Sequence, residues 1–130
     1  KFAVAGGNVC AIAQARGIKG FVIDGVIRDI AETRENQFPV FAKGVIPKPG
    51  AKKCVSPLNQ PVHCGSVLVH PGDIIVADEE GIAVIPKAAA EQAYDVARAR
   101  AQKDAAMSLA QWEAQHVEKV EGILKELGFQ

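Results

Sequence analysis

Two short stretches of this sequence have the residue types and spacing of a reaction site. The first is Gly6-Gly7-Asn8-Val9, and about twenty residues later comes Arg28-Asp29. A glycine turn that opens a helix offers backbone N–H groups with no intrahelical partner, which suits a carboxylate or a phosphate. Arg28 adds a planar donor fork able to hold an enolate or carboxylate oxygen. Asp29 adds a hard anionic oxygen of the kind that binds Mg²⁺ or Mn²⁺, with water and substrate completing the shell. Anion cradle, cation and metal ligand together describe a site for a small α-keto acid.

For these stretches to meet, each must follow a strand, and the two strands must be neighbours. The sequence supplies such a unit. Lys1 to Ala5 reads as the end of a strand, broken by Gly6-Gly7-Asn8 before a short helix. Val9, Ile12, Ala13 and Ala15 give that helix an apolar stripe, and Gly17 is its natural stop. Phe21 to Asp24 is a β-rich run, so residues 1 to 24 read as β-turn-α-β, a unit of parallel strands. Asp24-Gly25 reads as a turn, and Arg28 to Glu35 as another short helix. Beyond Asn36, short strands are expected at Phe38 to Ala42, Pro61 to Cys64, Val67 to Val69, Asp73 to Ala77 and Ile82 to Pro86, punctuated by proline and glycine. Residues 87 to 127 hold no proline and are dense in Ala, Glu, Lys, Gln and Arg, predicting one or two helices with a break near Ser108. Trp112, His116, Val120, Ile123 or Leu124, and Leu127 share one face there, a narrow stripe suited to packing on a neighbouring subunit.

Composition narrows the classes. With 130 residues, 48% hydrophobic, the chain has material for one core, and a single domain is expected, with residues 1 to 86 its core and 87 to 130 its helical tail. Fifteen basic residues balance fifteen acidic ones, so no global field favours nucleic acid or an anionic membrane. No apolar run approaches the roughly 20 residues that span a bilayer, and the opening KFAVAGGNVC lacks a signal-peptide layout. Cys10, Cys54 and Cys64 are odd in number and irregular in spacing, which fits reduced thiols. A cytoplasmic protein is expected.

The stretches GGNVCAIAQARGIKGFVIDGVIRD, FPVFAKGVIP and PVHCGSVLVHPGDIIVADEEGIAVIP resemble the 4-hydroxy-4-methyl-2-oxoglutarate / 4-carboxy-4-hydroxy-2-oxoadipate aldolases of the RraA-like family, over roughly residues 3 to 86. The resemblance implies an α/β chain of the swivelling β/β/α type, assembled as homotrimers or hexamers, that cleaves a 4-hydroxy-2-oxo diacid to pyruvate with a divalent metal. Carried over by position, the backbone amides of Gly6, Gly7, Asn8 and Val9 hold the pyruvyl carboxylate, Arg28 binds substrate and stabilises the enolate, and Asp29 holds the metal. The expected base is a water on that metal, with no lysine Schiff base. Oxaloacetate decarboxylation, which passes through the same enolate, belongs to the same expectation. Many such aldolases carry an Asp in the glycine loop, where this chain has Gly7. They also place an acidic residue from a neighbouring subunit near the metal's waters, and Asp104 lies at a matching distance along the tail. Typical members have a further N-terminal segment before the glycine loop, so part of that segment is expected to be missing here.

Simpler readings compete. Arg28-Asp29 could be a capped helix start with a surface pair, and Gly6-Gly7 an ordinary turn. Asp78-Glu79-Glu80-Gly81 is expected to be a solvated hairpin turn rather than a calcium loop. His63, Cys64, His70 and Cys54 match no zinc spacing. Lys48, Lys52 and Lys53 read as a solvated loop. Among functions, the alternative to an aldolase is a non-catalytic regulator of the RraA type, which binds and inhibits ribonuclease E and has no need of Asp29 as a metal ligand. A phosphohistidine carrier domain shares the β/β/α architecture and a PGDIIVAD-type segment. It requires a histidine in the glycine-loop region, and His63, His70 and His116 all lie elsewhere.

Overall fold

The computed structural model describes residues 1–129. It is an α/β chain that divides into two compact units, Lys1–Asp73 and the residues from Ile74 on. In the first unit, helix α1 (Gly7–Ala15) is followed by strand β1 (Phe21–Ile27), helix α2 (Ile30–Glu35) and strand β2 (Val40–Val45). β1 and β2 pair in parallel, with Phe21 opposite Val40 and Ile27 opposite Val45, so α2 is their crossover. The expected Lys1–Ala5 strand is reduced to single parallel bridges from Ala3 to Val26 and to Pro49, with the Val4 N–H donating to the Val26 carbonyl at 3.0 Å. This short extended piece still lies beside β1, and the residues that follow each leave the same end of the sheet.

The core explains how α1 is seated. Cys10, Ala13 and Phe38 are buried together, with Phe21 and Val40 packed on them, and the Phe21 and Phe38 rings meet edge to face at 5.0 Å. The helix therefore buries Cys10 and Ala13, one turn apart, while Val9 and Ile12 of the expected stripe are exposed. Gly17 ends it as anticipated, with a φ of +84° that suits glycine.

The expected turn at Asp24-Gly25 is not formed. β1 runs through both residues, which stand together opposite Lys43 alone, because the register shifts between Ile23 and Val26. A bulge thus absorbs the turn-forming residues inside the strand. Asp24 uses the position to pair with Lys43 and to accept the Gly65 N–H at 3.0 Å. Gly65 and Ser66 form the two-residue turn between β3 (Val62–Cys64) and β4 (Val67–Val69), both with positive φ, as such hairpins require. One carboxylate therefore ties β1 to β2 and to this hairpin.

In the second unit, β5 (Ile74–Ala77) and β6 (Ile82–Ile85) form an antiparallel hairpin. Asp78 closes it, its Oδ1 accepting the N–H groups of Glu80 and Gly81, so the acidic cluster is the expected turn. A 3₁₀ turn over Lys87–Ala89 leads into α3 (Ala90–Ala105) and α4 (Leu109–Glu126). Ser108 separates the helices through a reciprocal cap: its hydroxyl accepts the Gln111 N–H, and the Gln111 side chain accepts the Ser108 N–H. Trp112 and His116 stack with ring centroids 4.8 Å apart, and the α4 stripe through Val120, Ile123, Leu124 and Leu127 is exposed in the single chain. No helix among the described residues is long and apolar enough to cross a membrane.

Two stability predictions follow from these ties. Ser108→Ala removes the cap of α4 and is expected to cost about 1 kcal/mol in urea unfolding followed by helical circular dichroism. The Asp24 carboxyl is held below its usual value, chiefly by the hydrogen bond from Lys43 and then by the Gly65 N–H. Its contribution is present above the ordinary carboxylate range and is lost as pH falls through and below that range. Unfolding midpoints compared at about pH 7 and about pH 3 should fall more for the parent protein than for Asp24→Asn.

Candidate functional site

β1 continues to Ile27, so Arg28 and Asp29 leave the sheet directly at its carboxyl end. The Arg28 N–H donates to the Ala5 carbonyl at 3.0 Å, which fastens this exit to the residue that precedes Gly6-Gly7. Asp29 then adopts a left-handed conformation, φ 57° and ψ 45°, one that Asp tolerates better than most residues. It stands at the N-cap of α2, yet its side chain makes no capping bond to that helix. Oδ2 instead accepts the Gly7 N–H at 3.3 Å and lies 3.5 Å from Arg28 Nε. The capped-helix reading of Arg28-Asp29 fails on this point, because the carboxylate faces the start of α1 rather than its own helix.

Thr33 holds this arrangement from below. It is 4% exposed, and both its hydroxyl, at 3.0 Å, and its N–H, at 3.1 Å, donate to the Asp29 carbonyl. The same hydroxyl lies 3.9 Å from Cys10 Sγ, in the core beneath α1. The backbone at Asp29 is thus anchored to the packed layer.

The two glycines are needed for close approach. A Cβ at Gly6 would collide with Asp29 Oδ2 and stand 2.9 Å from Arg28 Cγ. At Gly7 it would run into the Glu32 carboxylate and stand 2.8 Å from Glu32 Cβ. Glu32 is therefore a part of the site that the sequence reading missed. No local signal marked it, since only the fold brings this α2 residue against Gly7.

Gly6, Gly7, Arg28 and Asp29 are brought together as the sequence suggested. Asn8 and Val9 continue the first turn of α1, both exposed, where amides lack intrahelical acceptors. The Gly7 N–H departs from the expected open cradle, since Asp29 already occupies it. Asp104 belongs to the second unit, on α3, where it pairs with Arg100 at 3.0 Å.

A metal cage made wholly of protein ligands is absent: among the described residues, no group of three or more His, Cys, Asp or Glu side chains could hold an ion. His63, Cys64, His70 and Cys54 accordingly form no zinc site. The donor set does fit a hard ion that takes one or two carboxylates and leaves its other positions to water and substrate. Asp29 Oδ1 has no partner among the described residues, and the Glu32 carboxylate lies against the adjoining glycine.

Comparison with known proteins places the chain in a family. A family model described as RraA-like, Aldolase/RraA, matches residues 1–84. A protein of Halalkalibacterium halodurans with a provisional name of 4-hydroxy-4-methyl-2-oxoglutarate aldolase is 40% identical over 116 residues, covering 82% of this chain and 55% of its own. The 4-hydroxy-4-methyl-2-oxoglutarate aldolase of Thermus thermophilus is 34% identical over 85 residues, covering 65% of this chain and 52% of its own. Among solved structures, Streptomyces coelicolor RraAS2, described as an unusual member of the RNase ES inhibitor RraA protein family, superposes with a TM-score of 0.70 at 31% identity, over 79% of this chain and 53% of that one. The chain spans about half the length of the relatives it matches. With 84 of its 130 residues matched by the family model and the same α/β fold, the chain belongs to the RraA-like family.

Proposed function

We propose that this site serves metal-dependent retro-aldol cleavage of a 4-hydroxy-2-oxo diacid, giving pyruvate and a second keto acid, and that it also decarboxylates oxaloacetate. The observation that carries the reading is the direction of the Asp29 carboxylate, turned from its own helix toward the glycine loop and Arg28. Aldolase names among the relatives support the same class.

The backbone amides of Gly6, Gly7, Asn8 and Val9 receive the pyruvyl carboxylate, aided by the partial positive charge at the start of α1. Arg28 presents its guanidinium to the substrate carboxylate and to the neighbouring oxygen that gains charge as the bond between C3 and C4 breaks, and stabilises the enolate. Asp29 would hold Mg²⁺ or Mn²⁺, with Glu32 reaching the ion or its waters. When bound, the ion supplies Lewis-acid polarisation of the keto acid. For assembly, the exposed apolar stripe of α4 supports packing between copies, as a homotrimer or hexamer, and Asp104 is the candidate acidic group contributed across such an interface.

A second reading, a non-catalytic regulator of ribonuclease E, is favoured by the likeness to the RNase ES inhibitor family member. Pyruvate release separates the two. With Mg²⁺, the parent protein should release pyruvate from 4-hydroxy-4-methyl-2-oxoglutarate and from oxaloacetate. Asp29→Asn, which suits the left-handed backbone, should lower kcat/KM by about a hundredfold or more. No turnover of either substrate, with slowed RNA cleavage by ribonuclease E on adding the protein, would instead establish the regulator.

A further inference from the structure

The two groups assigned to substrate anion binding, the Gly7 N–H and the Arg28 guanidinium, already share an anion. Asp29 Oδ2 lies 3.3 Å from the Gly7 nitrogen and 3.5 Å from Arg28 Nε, where a substrate carboxylate oxygen would make the same contacts. The pair is partly exposed, but the Asp29 backbone beneath it is held. The Asp29 carbonyl is gripped by the buried Thr33, and the left-handed backbone directs the carboxylate at the start of α1. Because Gly6 and Gly7 lack side chains, nothing intervenes between that carboxylate and the loop. Oδ1 is the oxygen left without a partner among the described residues.

We propose that Asp29 acts as an internal substitute for the substrate anion, closing the carboxylate seat at Gly7 and Arg28 until a divalent cation takes its charge. Seat and metal ligand are then one switch. In the absence of metal, Asp29 competes with an incoming carboxylate for the same donors. With metal present, the carboxylate turns to the ion, and Gly7 and Arg28 become available. A keto acid is thereby denied a productive seat when no metal is there to act on it. The inference builds on the keto-acid reading above and adds an order of events to it.

The test uses pyruvate binding by calorimetry, in chelator, to the parent protein and to Asp29→Asn, Asp29→Gly and Glu32→Gln, with the parent protein in Mg²⁺ alongside. Both substitutions at position 29 are compatible with its positive φ, and circular dichroism confirms that each variant is folded. Asp29→Gly, which empties the seat, should bind pyruvate about tenfold more tightly than the metal-free parent, a difference on the scale of one charge-assisted hydrogen bond. Asp29→Asn keeps an acceptor oxygen in the seat and should gain less. Glu32→Gln, which removes a nearby charge without emptying the seat, should gain least.

Equal gains in all three variants would mean that only charge repulsion had been relieved, and would overturn the proposal. So would an Asp29→Gly affinity no better than the metal-free parent's while the parent in Mg²⁺ binds pyruvate; that result leaves the keto-acid reading intact. Absence of binding in every sample, including the parent with Mg²⁺, would remove that reading and the proposal with it.

Discussion

The approach of the Asp29 carboxylate to the first amide of α1 is the contact on which the features of the site converge. It exists because three separate features agree. β1 delivers Arg28-Asp29 to the carboxyl end of the sheet, the extended piece at Ala3 to Ala5 delivers Gly6-Gly7 to the same end, and the bond from the Arg28 N–H to the Ala5 carbonyl aligns the two exits. A left-handed residue then redirects the side chain across the gap. Each feature is a backbone matter, so the site is positioned before any catalytic side chain is considered.

Packing beneath the site is correspondingly economical. Thr33 grips the Asp29 carbonyl with its hydroxyl and its N–H, and it lies against Cys10, whose helix face also covers Ala13 and Phe38. In a layer this small a buried hydroxyl would be costly unless paired. Here its partner is the one carbonyl whose placement orients the carboxylate. The buried Cys10 serves this packing. At the other face of β1, the bulge at Asp24-Gly25 lets a single carboxylate join two strands and a hairpin through Lys43 and Gly65.

Much of this was legible in the residues. Glycines before a helix and an Arg-Asp pair after a strand mark two loop ends, and the parallel β-α-β arrangement brings such ends together. A break in the tail near Ser108 was expected, and the structure supplies its cause in the cap with Gln111; the positions of β3 to β6 followed from proline and glycine punctuation. What was not legible depends on partners distant in sequence. Asp24-Gly25 reads locally as a turn, and only pairing against Lys43 turns it into a bulge. Val9 and Ile12 look like core residues until Phe38 comes to lie under Cys10 and Ala13 instead. Glu32 could not be distinguished from an ordinary exposed helix residue without knowing that Gly7 lies beneath it. The occupancy of the Gly7 amide by Asp29 required the left-handed angle, which residue type permits and does not dictate.

The central claim is that the glycine loop, Arg28 and Asp29 form one keto-acid site, and it can be read residue by residue in solution. Pyruvate would be titrated into the Mg²⁺-containing protein while the backbone amides and the arginine Nε–H groups are followed by ¹H–¹⁵N correlation. The account predicts that the largest shifts fall on the amides of Gly6 to Val9 and on Arg28 Nε–H, with the Asp78 to Gly81 turn unmoved. Shifts centred elsewhere, with Gly7 and Arg28 unchanged at saturation, would contradict it.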